Sequence, residues 1–143
     1  MKQIITTISF MLLLISGNLQ ANQSLISKSP ENANVYFISP EDGQTVSQEF
    51  DVVFGLSGMG VAPAGVNVEN TGHHHLLINL DPLPDMTKPL PANKNVKHFG
   101  KGQTQTTITL PPGEHTLQLL LGNYLHIPHD KPVISEKITI TVE

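Results

Sequence analysis

The chain has 143 residues, a formal net charge of −4, seven histidines and no cysteine. This composition excludes a disulfide framework, a thiolate zinc or blue-copper centre and a lipid-modified cysteine, so stability must come from a packed core, which a chain of this length can supply. An acidic chain without a basic run is also a poor partner for nucleic acid or an anionic membrane surface.

Residues 1–21 read as a secretory signal peptide. Lys2 is the basic start, residues 4–15 are mostly apolar, and Leu19-Gln20-Ala21 offers a small residue at the cleavage point. The apolar run is too short for a good membrane span. Cleavage would leave 122 residues, one domain's worth, carrying a charge of −5 and released to the periplasm or secreted without a membrane anchor. Residues 22–34 are polar, hold Pro30 and lack periodicity, which predicts a flexible leader. Residues 35–143 form the single folded domain.

Seven short strands are expected in that domain. Residues 35–38 make the first, closed by the turn signal Ser39-Pro40-Glu41-Asp42-Gly43. In the second, Phe50, Val52, Phe54 and Leu56 alternate with Asp51, Val53 and Gly55. Residues 58–65 are a loop or a broken edge segment. The third strand carries Gly72-His73-His74-His75-Leu76-Leu77-Ile78-Asn79-Leu80. Residues 81–95 contain Pro82, Pro84, Pro89 and Pro91, which exclude a helix interior and a central strand. Residues 97–99 fit a short edge strand, and the Thr-rich stretch 103–110 fits a fifth strand. His115, Leu117, Leu119 and Leu121 share one face of the sixth, the most apolar strand of the chain. The seventh spans residues 134–142, with Ile138, Ile140 and Val142 pointing inward. No convincing 3.6-residue period exists in the domain, so the pattern predicts an all-β, immunoglobulin-like antiparallel sandwich of about seven strands, with a small β-barrel as the alternative.

The histidines are the informative feature. Alternation along the third strand puts His74, Leu76, Ile78 and Leu80 on the core face and His73, His75, Leu77 and Asn79 on the other. Up-and-down strands bring the loops after the second, fourth and sixth strands to one end of the sandwich. His73–His75, His98, His126 and His129 all map to that end, and His115 alone to the opposite one. Imidazole suits copper, zinc, nickel and iron, and loops on a rigid scaffold commonly build such sites. The expected ligands are His73, His75, His126 and His129 around a copper or zinc ion, with His98 and Met59 as the next candidates. A thioether from Met59 would favour Cu(I), and Asp130 could orient a ligating ring. Each also has a plainer reading: Met59 as packing, Asp130 as a turn residue, His98 as a surface side chain.

Several segments resemble a known family. Gly72-His73-His74-His75-Leu76-Leu77-Ile78, the run from His98 to Thr104, the run from Pro112 to Leu119, and Pro128-His129-Asp130 look like the signatures of the exported bacterial domain-of-unknown-function 4399 family. The resemblance covers nearly the whole of 35–142. It implies an exported single domain and names no activity. Two positions depart from the family pattern. Asn79 stands where an acidic residue is common, and Tyr124 lies near the place of a further histidine, so a site that used that histidine would be differently built here.

Three functions compete on these residues. A non-catalytic metal carrier or buffer, copper before zinc, comes first, with the metal ion and another periplasmic protein as its partners. A protein- or glycan-interaction module with a histidine-rich loop end comes second. An enzyme comes last, because the chain has no Gly-x-Ser-x-Gly elbow, and Gly100-Lys101-Gly102 precedes no helix that could bind phosphate.

Overall fold

The computed structural model describes residues 24–143, so the expected signal peptide lies outside the described residues. Among the described residues nine strands form: β1 (Asn34–Ser39), β2 (Thr45–Val46), β3 (Glu49–Ser57), β4 (Gly60–Val61), β5 (Thr71–Ile78), β6 (Val96–His98), β7 (Gln105–Thr109), β8 (Gly113–Gly122) and β9 (Ile138–Val142). Among the described residues there is no helix. One sheet has the order β1-β3-β7. The other runs β2-β9-β8-β5-β4, with β6 also paired to β5. The two stack as a sandwich and do not close into a barrel.

Period-2 patterning explains the stacking. Val35 of β1, Phe50, Val52 and Phe54 of β3 and Ile108 of β7 meet Leu76 and Ile78 of β5, Leu117, Leu119 and Leu121 of β8 and Ile138, Ile140 and Val142 of β9 in one core. Two short strands escaped the periodicity because they pair in parallel with only two residues each: β2 with β9, and β4 with the start of β5. The first lies just past the expected turn at residues 39–43, and the second falls in the expected broken edge segment. Strand β9 is shorter than 134–142, and Ile134 contributes only an isolated bridge to Leu120.

The outer face of β5 departs from simple alternation. Leu77, Leu90, Val96 and Leu120 form a second buried cluster, flanked by Leu80, Met86 and Ile134. The proline segment lies over the sheet here: Ile78 N donates to Asn95 O at 2.8 Å and Leu90 N donates to His126 O at 2.9 Å. Strand β5 is therefore covered on both faces, and every residue from Gly72 to Ile78 is buried. The leader is also engaged, since Ser29 N donates to Asp130 Oδ1 at 3.0 Å and Asp130 N donates to Ser27 O at 2.9 Å.

Two cores on one sheet make a direct prediction. Leu119 faces the first and Leu120 the second, both at 0 % exposure. Truncating either to alanine should cost about 2–5 kcal/mol in chemical denaturation. A near-zero cost for Leu120→Ala would mean that the proline segment does not cover the sheet.

Candidate metal centre

Register assembles the site. On β5, His73 and His75 are two residues apart and share a face. Strand β6 pairs antiparallel along the edge and sets His98 directly opposite His75. Strand β8 pairs on the other side, with Gly122 opposite His73 and Leu120 opposite His75. The chain then turns at Asn123 and brings back His126, whose Nδ1 lies 3.1 Å from His73 Nε2, one proton between them. The four rings have centroids 4.6–6.1 Å apart. One nitrogen from each of His73, His75, His98 and His126 falls within 4.8 Å of the others.

Two glycines give the rings room. A Cβ at Gly122 would lie 2.7 Å from His75 Cε1 and 3.3 Å from His126 Cα. The His98 ring folds over Gly100, where a Cβ would come within 2.5 Å of its Nε2. At Gly122 a side chain would meet the His75 ring and the backbone of the turn that carries His126, and at Gly100 the His98 ring and Ala64 Cβ.

Burial sets the protonation. His73 and His75 are 0 % and 1 % exposed. Loss of solvation pushes His73 down to about 4 and His75 to about 3, and the neighbouring rings, which would repel a second positive charge, push the same way. His98 is exposed at the mouth and is also lowered, by partial burial and then by His126. These three rings are neutral at pH 7 and keep lone pairs to offer. Nδ1 of His73 and of His75 have no hydrogen-bond partner.

A metal fits this donor set. Imidazole nitrogens about 2.0–2.1 Å from a tetrahedral ion are about 3.3 Å from one another. The 3.1 Å pair already meets that spacing, and all four nitrogens lie within 4.8 Å of one another. The donors are all nitrogen, with no carboxylate in the group, which is the ligand chemistry of zinc and copper rather than of calcium or magnesium.

The other expected site residues lie elsewhere. His129 is 2 % exposed and outside the group of four; its Nε2 donates to Thr71 O at 3.3 Å and its Nδ1 has no partner. Its spacing from His126 suggested convergence, but a turn between Asn123 and Ile127 sends the two rings apart. Met59 packs against the sandwich core, as the plainer reading had it. Asp130 orients no ring, because Ser29 N and Lys131 N occupy its Oδ1. His115 sits at the opposite end, where Asn79 Nδ2 donates to its Nδ1 at 2.8 Å and its Nε2 donates to Pro111 O at 2.9 Å. His98 is drawn into the group by its pairing opposite His75, which the sequence signals only through a three-residue edge strand. His74 points inward, its ring 5.0 Å from Phe54 with both nitrogens unpartnered. Burial lowers it to about 4.

These features define an all-β sandwich that carries a four-histidine cluster at one end. The chain belongs to the family described as "Domain of unknown function (DUF4399)", whose model matches residues 52–143. No curated protein matches the chain. Among solved structures, the endo-beta-1,4-mannanase from Thermotoga petrophila is similar over 78 % of this chain, at 18 % identity and a TM-score of 0.46; the chain spans 20 % of that protein's length.

Two predictions follow from the buried rings. The folded protein holds His73, His74 and His75 neutral, whereas the unfolded chain takes protons near the ordinary 6.5. The unfolded state therefore binds more protons between 6.5 and about 4, and stability of the metal-free protein should fall with pH through that window, by up to about 1.4 kcal/mol per unit for each ring. Denaturation midpoints at pH 7.5 and 5 check this, and His74→Leu should flatten the slope. Gly122→Ala should disturb His75 and His126 while leaving the sandwich intact, seen as shifted ring resonances of those two histidines and unchanged ones for His115.

Proposed function

We propose that this protein is an exported, non-catalytic metal-binding protein that holds one copper ion, with zinc as second choice, and serves as a carrier or buffer. The observation that carries the reading is the meeting of four imidazole nitrogens within 4.8 Å from three separate segments of chain. Three of those rings are kept uncharged at neutral pH, so each has a nitrogen lone pair for which no second proton competes. Copper is preferred because a given nitrogen site follows the order of divalent affinities that peaks at Cu(II). The thioether argument for Cu(I) does not apply, since Met59 packs against the sandwich core. A carrier is favoured over an enzyme because four protein ligands fill a tetrahedral ion, whereas catalytic zinc sites keep one position open.

Titration of untagged protein with Cu(II) and Zn(II) tests the reading. One equivalent should bind, and His73→Gln with His75→Gln should abolish it. His126→Ala should weaken it, while His115→Ala and His129→Gln should change it little. Affinity should persist below pH 6.5, because His73 and His75 take protons only near 4 and 3. A surface-histidine peptide loses its metal through 6.5. Binding no tighter than that peptide, or equal losses in the His115 and His73/His75 variants, would sink the proposal.

A further inference from the structure

The turn that presents His126 depends on a distant part of the chain. Its first residue, Asn123, is 1 % exposed, and both halves of its amide are used. Oδ1 accepts from Leu125 N at 2.9 Å and Ile127 N at 3.1 Å, closing the backbone around His126. Nδ2 donates to Leu25 O at 2.9 Å and to Ser27 Oγ at 3.0 Å, in the leader. Three more hydrogen bonds extend the seam: Asp130 N to Ser27 O, Ser29 N to Asp130 Oδ1 and Ser29 Oγ to Lys131 O. An ion pair between Lys131 and Glu31 ends it.

His126 needs this support. Its φ is 65°, in the left-handed region, which strains a non-glycine residue and persists only where the surroundings impose it. On the inner side, its backbone is tied by Leu90 N to His126 O and His126 N to Asn123 O. On the outer side, the leader holds the amide that shapes the turn. The other three cluster histidines stand on paired strands and need no such device.

We propose that residues 25–31 act as a strap that positions His126 for the metal, with Asn123 as the positioning residue through which the strap acts. The proposal rests on the metal-binding reading above and adds that affinity is set partly by the leader. The strap grips the outer half of a buried amide, and the inner half fixes a ring nitrogen 3.1 Å from His73 Nε2. Loosening the leader frees the turn, and the cluster falls back to the three strand-borne imidazoles.

The test uses the full chain carrying Ser27→Ala and Ser29→Pro. The alanine removes one acceptor, and the proline removes the position-29 N–H and hydroxyl, so three of the five seam hydrogen bonds are lost. Cu(II) titration is compared in two backgrounds, wild type and His126→Ala. The strap substitutions should weaken binding about tenfold in the first, the scale for supports behind a metal ligand, and hardly at all in the second. Unchanged affinity in the wild-type background, or equal losses in both, overturns the proposal. A metal-free measurement separates its failure from that of the metal site: amide exchange at Leu125 and Ile127 in the apo protein. If the wild type binds no Cu(II), the metal reading fails. Faster exchange at those two amides with an unchanged denaturation midpoint then still supports a strap on the His126 turn, and unaltered exchange rejects it.

Discussion

The structure turns on one strand that is buried on both of its faces. In an antiparallel sandwich a strand normally shows one face to water, and polar residues there cost nothing. Strand β5 has no such face. Its inner side packs into the sandwich core, and its outer side lies under the proline segment and the turn at Asn123. Three consecutive histidines on such a strand must all be desolvated, and alternation divides them between two environments. His74 goes alone into an aromatic setting between Phe54 and the core, and His73 and His75 go to a pocket made of other histidines. The cluster is a consequence of covering a face that the sheet alone would leave wet.

Much of this was legible in the residues, for physical reasons that differ from element to element. Strands β3, β8 and β9 announce themselves because each buries one face, so period-2 alternation survives in the sequence. The division of His73 and His75 from His74 was legible for the same reason, and up-and-down connectivity was enough to bring the histidines to one end. The cover over β5 was not legible. A proline-rich segment says what it cannot be, a helix or central strand, and says nothing about where it lies. Convergence inside the loop was equally hidden. His126 and His129 look equivalent at a spacing of three, and only the bonds of Asn123 decide that one ring enters the group while the other turns to Thr71.

His98 shows the opposite case. As an isolated surface histidine it carries little weight, yet cross-strand register makes it the neighbour of His75. Pairing partners on adjacent strands are set by the sheet, and a single sequence holds no direct record of them. The same holds for the two parallel pairings of β2 and β4, each too short to leave a period.

The nature of the donor set bears on what such a site is good for. The domain has two apolar cores that owe nothing to an ion, so metal binding need not supply folding energy as it does in small zinc modules. None of the four donors is an anionic ligand, and no carboxylate joins them. An ion held there would keep its whole charge in a half-buried setting, and part of the binding energy would go to that desolvation. Thiolate or carboxylate ligands would neutralise the charge and hold the ion more tightly. A neutral imidazole cage, open to solvent on the side of His98, therefore favours an ion that enters and leaves over one that is locked in place. That is the behaviour a carrier or buffer requires, and it follows from the same burial that keeps His73 and His75 uncharged.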